Sequence, residues 1–237
     1  YPEPSREEDL LAGVFDLVEP GTGLHLELLP TDEGSQIHPT SVYGITKHVQ
    51  EQLVATVAPT MGIEPIILRF QNVYGPGQSL TNPYTGILSI FTSRILAGQE
   101  INIFEDGLES RDFVYVDDVV RALESALSCP GAGGKTINVG AGVPTTVLDV
   151  VRELQEAYGR SVDVRVTGDF RLGDIRHNFA SLELARKVLG YEPSVSFRSG
   201  ITAFAAWARE VASADNSYEA SLLEMRSHNL LKRGKAR

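Results

Sequence analysis

A tyrosine and a lysine four residues apart form the first pattern in this sequence that could carry out chemistry. Residues 41–47 read Ser-Val-Tyr-Gly-Ile-Thr-Lys, which places Tyr43 and Lys47 at the two reactive positions. Side chains four apart lie on the same face of a helix, so the phenol and the ammonium group would be neighbours. Because the chain holds eight tyrosines, such a pair also arises by chance, and the surrounding sequence decides its meaning.

The pairing suits a tyrosine that works as a general base. To act in this way near neutral pH, the tyrosine must have its pKa lowered by about 3 units, which corresponds to about 4 kcal/mol. One cation about 6 Å away supplies roughly 3 kcal/mol at an effective dielectric constant of about 20. A lysine alone therefore falls short, whereas a lysine together with the cationic ring of an oxidised nicotinamide cofactor suffices. The motif thus implies an oxidised cofactor, NAD.

The elements that must position this pair alternate between helix and strand. Val49, Leu53 and Val57 recur every four positions and predict a helix over residues 41–61. Residues 65–70 form a short, continuously apolar run, which predicts a strand buried on both faces of a parallel sheet. Further strands are predicted at 101–104, 136–139 and 162–166, and further helices near 87–95, 117–127, 147–154, 181–189 and 199–211.

Composition narrows the class of protein. With 237 residues, 42% of them hydrophobic, the chain can bury a core. Its formal net charge of -10 disfavours binding to nucleic acid or to an anionic membrane, so any bound anion needs a local basic site. No apolar run approaches the roughly 18 residues of a membrane span. The single cysteine, Cys129, cannot form an internal disulfide and favours a cytoplasmic location.

Two further segments follow the Tyr-x-x-x-Lys motif in a fixed order. Residues 68–77 read Leu-Arg-Phe-Gln-Asn-Val-Tyr-Gly-Pro-Gly, and residues 111–118 read Arg-Asp-Phe-Val-Tyr-Val-Asp-Asp. The three segments together resemble the nucleotide-sugar epimerase and dehydratase branch of the extended short-chain dehydrogenase/reductase family. The resemblance runs from about residue 39 to residue 207. Within that branch, residues 77–86 and 107–111 look most like the dTDP-L-rhamnose 4-epimerase type.

The resemblance implies roles for the residues near the motif. Tyr43 would be the catalytic base, and Lys47 would activate it and bind the ribose of the cofactor. Asn72, on a loop after the predicted strand, would contact the diphosphate of the substrate. A simple turn-forming role is the alternative for Asn72.

The resemblance also implies a substrate site farther along the chain. Arg111 and Arg171 would grip the diphosphate, for which the planar guanidinium fork is well suited. Asp174 would bind the nucleotide ribose, while Phe104 and residues 82–86 would line the base and the sugar. Surface ion pairs are the alternative for the two arginines, and core packing is the alternative for Phe104.

The expected fold class is α/β. It comprises a partial Rossmann domain, which is a doubly wound parallel sheet lacking its N-terminal strands, and a smaller α/β substrate domain. Residues 1–40 are expected to be an insertion or loop region, and residues 41–75 the rear part of the Rossmann domain. Residues 76–212 would mainly bind the nucleotide sugar, with elements returning to the Rossmann sheet, and residues 213–237 would be a tail.

Two features of the family are missing from the sequence. No Gly-x-x-Gly-x-x-Gly turn, which would hold the cofactor pyrophosphate at a helix end, precedes Tyr43. Glu19 stands about where the resemblance would place a catalytic serine or threonine. An N-terminally truncated chain would explain both differences. The triplet at residues 31–33, Thr-Asp-Glu, lies too close to Tyr43 to match the family's acidic triplet, and we interpret it as a turn.

The sequence therefore predicts NAD-dependent 4-epimerisation of a nucleoside-diphosphate sugar through a 4-keto intermediate, with Tyr43 as base. A homodimer is expected for the complete protein, because the helix that carries Tyr43 is a dimer face in relatives. One alternative is a reductase or dehydratase on the same scaffold. Another is a non-catalytic fragment that binds nucleotide sugar weakly through Arg111 and Arg171.

Overall fold

The computed structural model describes residues 6–19, 21–80, 86–211 and 231–232. The helices in these ranges are α1 (Glu7–Leu11), α2 (Val42–Thr60), α3 (Ile87–Ala97), α4 (Val116–Ser128), α5 (Val147–Tyr158), α6 (Glu183–Leu189) and α7 (Phe197–Val211). The strands are β1 (Ile67–Phe70), β2 (Asn72–Tyr74), β3 (Ile101–Ile103), β4 (Ser110–Tyr115), β5 (Thr136–Val139), β6 (Pro144–Thr146), β7 (Val164–Val166), β8 (Phe170–Arg171), β9 (His177–Asn178) and β10 (Leu231–Lys232).

Parallel strand pairs joined through helices confirm the predicted α/β class. β1 pairs in parallel with β5, β2 with β4, and β3 with β7. Parallel neighbours need long crossover connections, and the intervening helices supply them. Strand β4 is central to the substrate side of the molecule, because it also pairs with β6 and with β9.

Two apolar clusters form the main core. The larger one fills the space among α3, α5, α7 and strands β2 and β4, and the second lies between α4, α6 and strand β5. Fully buried side chains in the larger cluster include Ile95, Leu154 and Phe204. These clusters fix β4 and its neighbours, which carry part of the predicted substrate site.

Local sequence signals explain how two of these elements begin and end. Thr146 caps α5 by accepting from the Asp149 amide, and Asp149 completes a reciprocal capping box. Gly75 ends β2 with a φ of 154°, and a Cβ atom there would lie 2.6 Å from Val116 Cγ1. Only glycine avoids that contact, which gives the glycine of the 68–77 segment a packing role.

The strand β1 is less buried than its sequence predicts. Ile67, Leu68 and Arg69 are half-buried, and the Phe70 side chain is 44% exposed. Among the described residues β1 pairs on one edge only, with β5. The helix α2 covers it little, because no residue of α2 is buried. The prediction of a strand covered on both faces is therefore wrong for the described part of the chain.

A polar contact joins α2 to the sheet. Arg69 on β1 donates two hydrogen bonds to the Glu51 carboxylate, from Nε at 2.9 Å and from Nη2 at 2.6 Å. The same guanidinium donates to the Glu33 carbonyl. The paired guanidinium lowers the pKa of Glu51 below its ordinary value. This ion pair contributes to the attachment of the helix that carries Tyr43.

Both ends of the described chain differ from the predictions. Residues 18 and 25 form an antiparallel bridge, as expected for a hairpin, but Leu10 and Phe15 are buried against Phe170 and so belong to a small core of their own. At the other end, β10 pairs with β8, although residues 213–237 were predicted to be a tail. The predicted turn at 31–33 also does more than reverse the chain, because Thr31 bridges to Ala180.

Candidate functional site

The structure brings Arg111 together with Arg171 and Asp174, although Asp174 lies 63 residues away from Arg111 in the chain. Arg111 Nη2 donates to Asp174 Oδ1 over 3.1 Å, and Arg171 Nη2 donates to Asp174 Oδ2 over 2.5 Å. One carboxylate thus bridges two guanidinium groups, and we call these three residues the arginine cluster. All three side chains remain partly exposed. The cluster is a concentration of positive charge on a protein whose net charge is -10.

Three backbone elements position the arginine cluster. Arg111 lies in β4, flanked by β6 and β9, and Arg171 ends β8. Gly173, with a φ of 76°, turns the chain between Arg171 and Asp174. The second guanidinium nitrogen of Arg111 donates to the carbonyls of Ser110 at 2.9 Å and Arg176 at 3.2 Å. These contacts fix the plane of the Arg111 guanidinium before any ligand binds.

Phe104 lies at the edge of the arginine cluster. Its ring centroid is 5.9 Å from Arg171 Cζ, which is within range of a cation–π contact. The ring is only half-buried, so it is not an ordinary core side chain. In addition, Arg171 Nε is buried and has no hydrogen-bond partner in the described structure. Buried donors are normally satisfied, so this atom indicates a place for an acceptor beside Phe104.

Arg176 supports the arginine cluster, because its carbonyl accepts a hydrogen bond from Arg111. The sequence did not reveal this role. Its guanidinium lies 2.7 Å from Asp106 Oδ1, 2.8 Å from Glu105 Oε2 and 2.8 Å from Asp16 Oδ1. Glu105, Asp106 and Glu109 lie close enough together to share one cation, and the Arg176 guanidinium supplies that positive charge. Asp16, Glu105 and Asp106 each lie at least 70 residues from Arg176 in the chain, so no local pattern in the sequence marks this arginine.

The Arg-Asp-Phe-Val-Tyr-Val-Asp-Asp segment contains structural as well as binding residues. The buried carboxylate of Asp112 accepts hydrogen bonds from the amides of Ala141, Gly142 and Ala180. Asp118, near the start of α4, is buried and accepts from the backbone amides of residues 194–195 and from Arg121. These carboxylates fix the loops around β4, whereas the Arg111 side chain is partly exposed.

The predicted pairing of Tyr43 and Lys47 on one helix face is present. Lys47 Nζ lies 5.6 Å from the centroid of the Tyr43 ring. Ser41 caps the helix by accepting from the Gly44 amide, and the Tyr43 side chain is 72% exposed. Within the described residues no hydrogen bond or ion pair joins this pair to the arginine cluster.

A hydrogen bond joins the loop before α2 to the loop that carries Arg171 and Asp174. Thr40 Oγ1, immediately before α2, donates to the carbonyl of Gly173 over 2.8 Å. Gly173 lies in the turn between Arg171 and Asp174. The start of the tyrosine helix is therefore attached to the loop that carries two members of the arginine cluster.

Asn72 does not lie where the sequence placed it. It begins strand β2 and is paired with Phe113 of β4, whereas a loop position was predicted. The reason is that the chain continues from β1 into a second strand after one residue, Gln71. The Asn72 side chain is exposed and, among the described residues, makes no hydrogen bond to the arginine cluster. Of the predicted segment 82–86, residues 82–85 lie outside the described residues, and Gly86 precedes α3.

The fold and the site define an α/β protein of parallel strands, with a tyrosine–lysine helix and a separate cluster of two arginines bridged by a carboxylate. The chain belongs to the NAD dependent epimerase/dehydratase family, whose sequence profile matches residues 18–140. No helix in the described ranges is both long enough and apolar enough to cross a membrane.

Relatives of known description support this assignment. The chain is 36% identical over 208 residues to a dTDP-L-rhamnose 4-epimerase of Burkholderia thailandensis, covering 87% of this chain and 55% of that protein. It resembles the crystal structure of a UDP-glucose 4-epimerase of Thermotoga maritima with UDP-glucose at 36% identity and a TM-score of 0.68, covering 78% of this chain and 59% of that one. A UDP-glucuronic acid 4-epimerase of Bacillus cereus, in complex with UDP-glucuronic acid and NAD, matches with a TM-score of 0.70 and 28% identity over 78% of this chain and 58% of that one. The chain thus spans a little over half the length of these relatives.

Proposed function

We propose that this chain supplies the substrate-binding arginines and the catalytic tyrosine of an NAD-dependent enzyme that epimerises a nucleoside-diphosphate sugar at C4. The observation that carries the proposal is the arginine cluster, in which Asp174 bridges Arg111 and Arg171 at 3.1 Å and 2.5 Å. Two guanidinium forks converging on one oxygen-bearing group match the spacing of acceptors on a diphosphate. The relatives described above include 4-epimerases of dTDP- and UDP-sugars.

In this proposal the substrate takes over contacts that the Asp174 carboxylate makes in the described structure. The diphosphate oxygens accept from Arg111 and Arg171, and the Asp174 carboxylate then accepts from a ribose hydroxyl. Phe104 provides an aromatic surface beside Arg171 for the base or the sugar. The Asn72 side chain, on β2, would also bind the diphosphate. It is exposed, so it is free to turn toward the substrate.

The chemistry belongs to Tyr43 and Lys47. Tyr43 removes the proton of the sugar 4-hydroxyl as the C4 hydride leaves, which gives a 4-keto sugar. After the sugar turns and the hydride returns to its other face, Tyr43 gives the proton back to the same oxygen. Lys47, with its ammonium 5.6 Å from the ring, favours the phenolate and would bind the cofactor ribose. NAD, when bound, supplies the acceptor and then the donor of the C4 hydride. The exposed, adjacent side chains of Tyr43 and Lys47 fit that role, although the described residues include no glycine-rich turn for the pyrophosphate.

The homodimer expected from the sequence stays a prediction. Its support is the apolar stripe on α2, where Val49, Leu53 and Val57 are all exposed in the single chain. Apolar residues at helical spacing on one face usually pack against another element.

The proposed function can be tested by combining turnover with binding. The protein is incubated with NAD and either dTDP-L-rhamnose or UDP-glucose, and the two C4 epimers are separated chromatographically. In parallel, calorimetry measures the binding of UDP, which carries the base, ribose and diphosphate without the sugar. We expect UDP binding and interconversion of at least one sugar. A protein that neither binds UDP nor converts either sugar would contradict the proposal, and UDP binding without turnover would favour the binding fragment.

A further inference from the structure

The N-terminal segment, residues 6–16, packs against the loop that carries the arginine cluster. Leu10 and Phe15 form a small buried cluster with Phe170, whose side chain is fully enclosed. Phe170 directly precedes Arg171. The Phe15 ring also lies 5.8 Å from the guanidinium carbon of Arg176. The segment thus contacts the loop at both of its ends, just before Arg171 and just after Asp174.

Asp16 makes the polar contact between this segment and the loop. Its Oδ1 atom accepts from Arg176 Nε over 2.8 Å and lies 3.4 Å from His177 Nε2. The other ring nitrogen of His177 lies 2.9 Å from Ser110 Oγ, next to Arg111 in the chain. Partial burial opposes ionisation of Asp16, but the Arg176 guanidinium outweighs it and holds the pKa of Asp16 below its ordinary value. Asp16 therefore carries its charge at neutral pH.

The same arginine that Asp16 holds also orients Arg111. The Arg176 carbonyl accepts from the Ser110 amide over 3.0 Å and from Arg111 Nη1 over 3.2 Å. The Arg176 side chain is only 7% exposed, so its position follows its acidic partners closely. Asp16 lies on one side of the guanidinium, while Glu105 and Asp106 come from the loop after β3. Without the Asp16 carboxylate, the Arg176 guanidinium is attracted mainly toward Glu105 and Asp106.

We infer that residues 6–16 form a positioning element for the substrate site, in which Asp16 acts through Arg176 to set the Arg111 guanidinium. The inference rests on the proposed function, since the ligand in question is the nucleoside diphosphate. Asp16 itself does not touch the ligand. Loss of its charge lets Arg176 move toward Glu105 and Asp106, and the carbonyl that orients Arg111 moves with it.

The test compares two equivalent substitutions in the same segment. Asp16→Asn removes the contact with Arg176, whereas Asp9→Asn removes a carboxylate whose ion-pair partner in the described part of the chain is the exposed Arg6. With UDP as calorimetric probe, we expect Asp16→Asn to weaken binding by roughly tenfold, the scale expected when a binding group loses its orientation. Asp9→Asn should bind within twofold of the parent. Asp16→Glu, which restores the charge, should recover most of the lost affinity.

A second measurement separates this inference from the proposed function. The Ser110 amide donates to the Arg176 carbonyl, so its hydrogen exchange reports on that carbonyl without any ligand. We expect faster exchange of the Ser110 amide in Asp16→Asn than in Asp9→Asn, at temperatures where both variants are folded. If the parent chain does not bind UDP, the proposed function fails and this exchange alone decides the positioning role. Unchanged exchange, or UDP binding by Asp16→Asn as tight as that of the parent, would overturn the inference.

Discussion

Asp174 contributes one oxygen to each of two arginines, so each guanidinium keeps free donors for a ligand. Arg111→Ala and Arg171→Ala should each weaken UDP binding by about 1.5 to 3 kcal/mol, the scale of a charge-assisted hydrogen bond to a phosphate. Calorimetric titration measures both. Arg198→Ala is the matched control, because Arg198 pairs with Glu153 and Glu156 away from the cluster. Unchanged titrations for both cluster variants would assign these arginines to structural ion pairs.

Tyr43 is the residue whose role can be separated most clearly from stability. Its side chain is 72% exposed, and in the described part of the chain its hydroxyl makes no hydrogen bond, so Tyr43→Phe should leave the unfolding midpoint unchanged. The same variant should retain NAD yet lose about 10² to 10⁴ in epimerisation rate, as expected when a general base is removed. Rates and midpoints are measured on the same preparations. Turnover within about threefold of the parent would show that Tyr43 is not the base.

At the scale of elements, the sequence predicted the helices well because their signals are local. The helix over 41–61 corresponds to α2 (Val42–Thr60). The burial of each element was harder to predict from the sequence, because it depends on which elements pack against the sheet. The apolar run at β1 correctly predicted a strand, but its exposed Phe70 shows that the cover on one side is not among the described residues.

A comparison of leucines on α2 and α5 tests whether the apolar face of α2 is covered. Leu53 on α2 is 57% exposed, whereas Leu154 on α5 is fully buried. Leu154→Ala should therefore lower the free energy of unfolding by about 2 to 5 kcal/mol, as large cavities in cores do. In the single chain Leu53→Ala should cost well below about 1 kcal/mol, whereas the homodimer expected through α2 would raise that cost. Urea unfolding of the two variants measures both values. A cost for Leu53→Ala equal to that for Leu154→Ala would show that another surface covers α2 in solution.

At the scale of the whole molecule, the sequence predicted individual site residues but not which of them contact each other. Arg111 and Arg171 were identified from separate motifs, and only the fold shows that Asp174 bridges them. Arg176 was missed, since an arginine that becomes buried among acids from two distant segments leaves no periodic signal. Asp16 was missed for the same reason, because its partner lies 160 residues away in the chain. Long-range ion pairs depend on the tertiary fold, which the local pattern does not encode.

Glu109, one of the acids near Arg176, makes the stability of the folded protein depend on pH. Burial raises the pKa of Glu109 to about 8, and its Oε2 is 3.7 Å from an Arg176 guanidinium that has closer acidic partners. In the unfolded chain a glutamate titrates near about 4.3. Between these values the folded protein holds a proton that the unfolded chain has lost, so stability falls as the pH rises toward 8.

Glu109→Gln should remove this dependence, because the amide keeps the shape of the side chain and cannot ionise. We expect the variant to gain stability over the parent as the pH is raised from 5 to 8, with the difference growing by about 3 to 4 kcal/mol. Thermal unfolding at the two pH values measures it. Glu124→Gln, on an exposed position of α4, provides the control and should show no such growth. A difference between Glu109→Gln and the parent that is the same at both pH values would mean that Glu109 is already ionised in the folded protein and that Arg176 outweighs its burial.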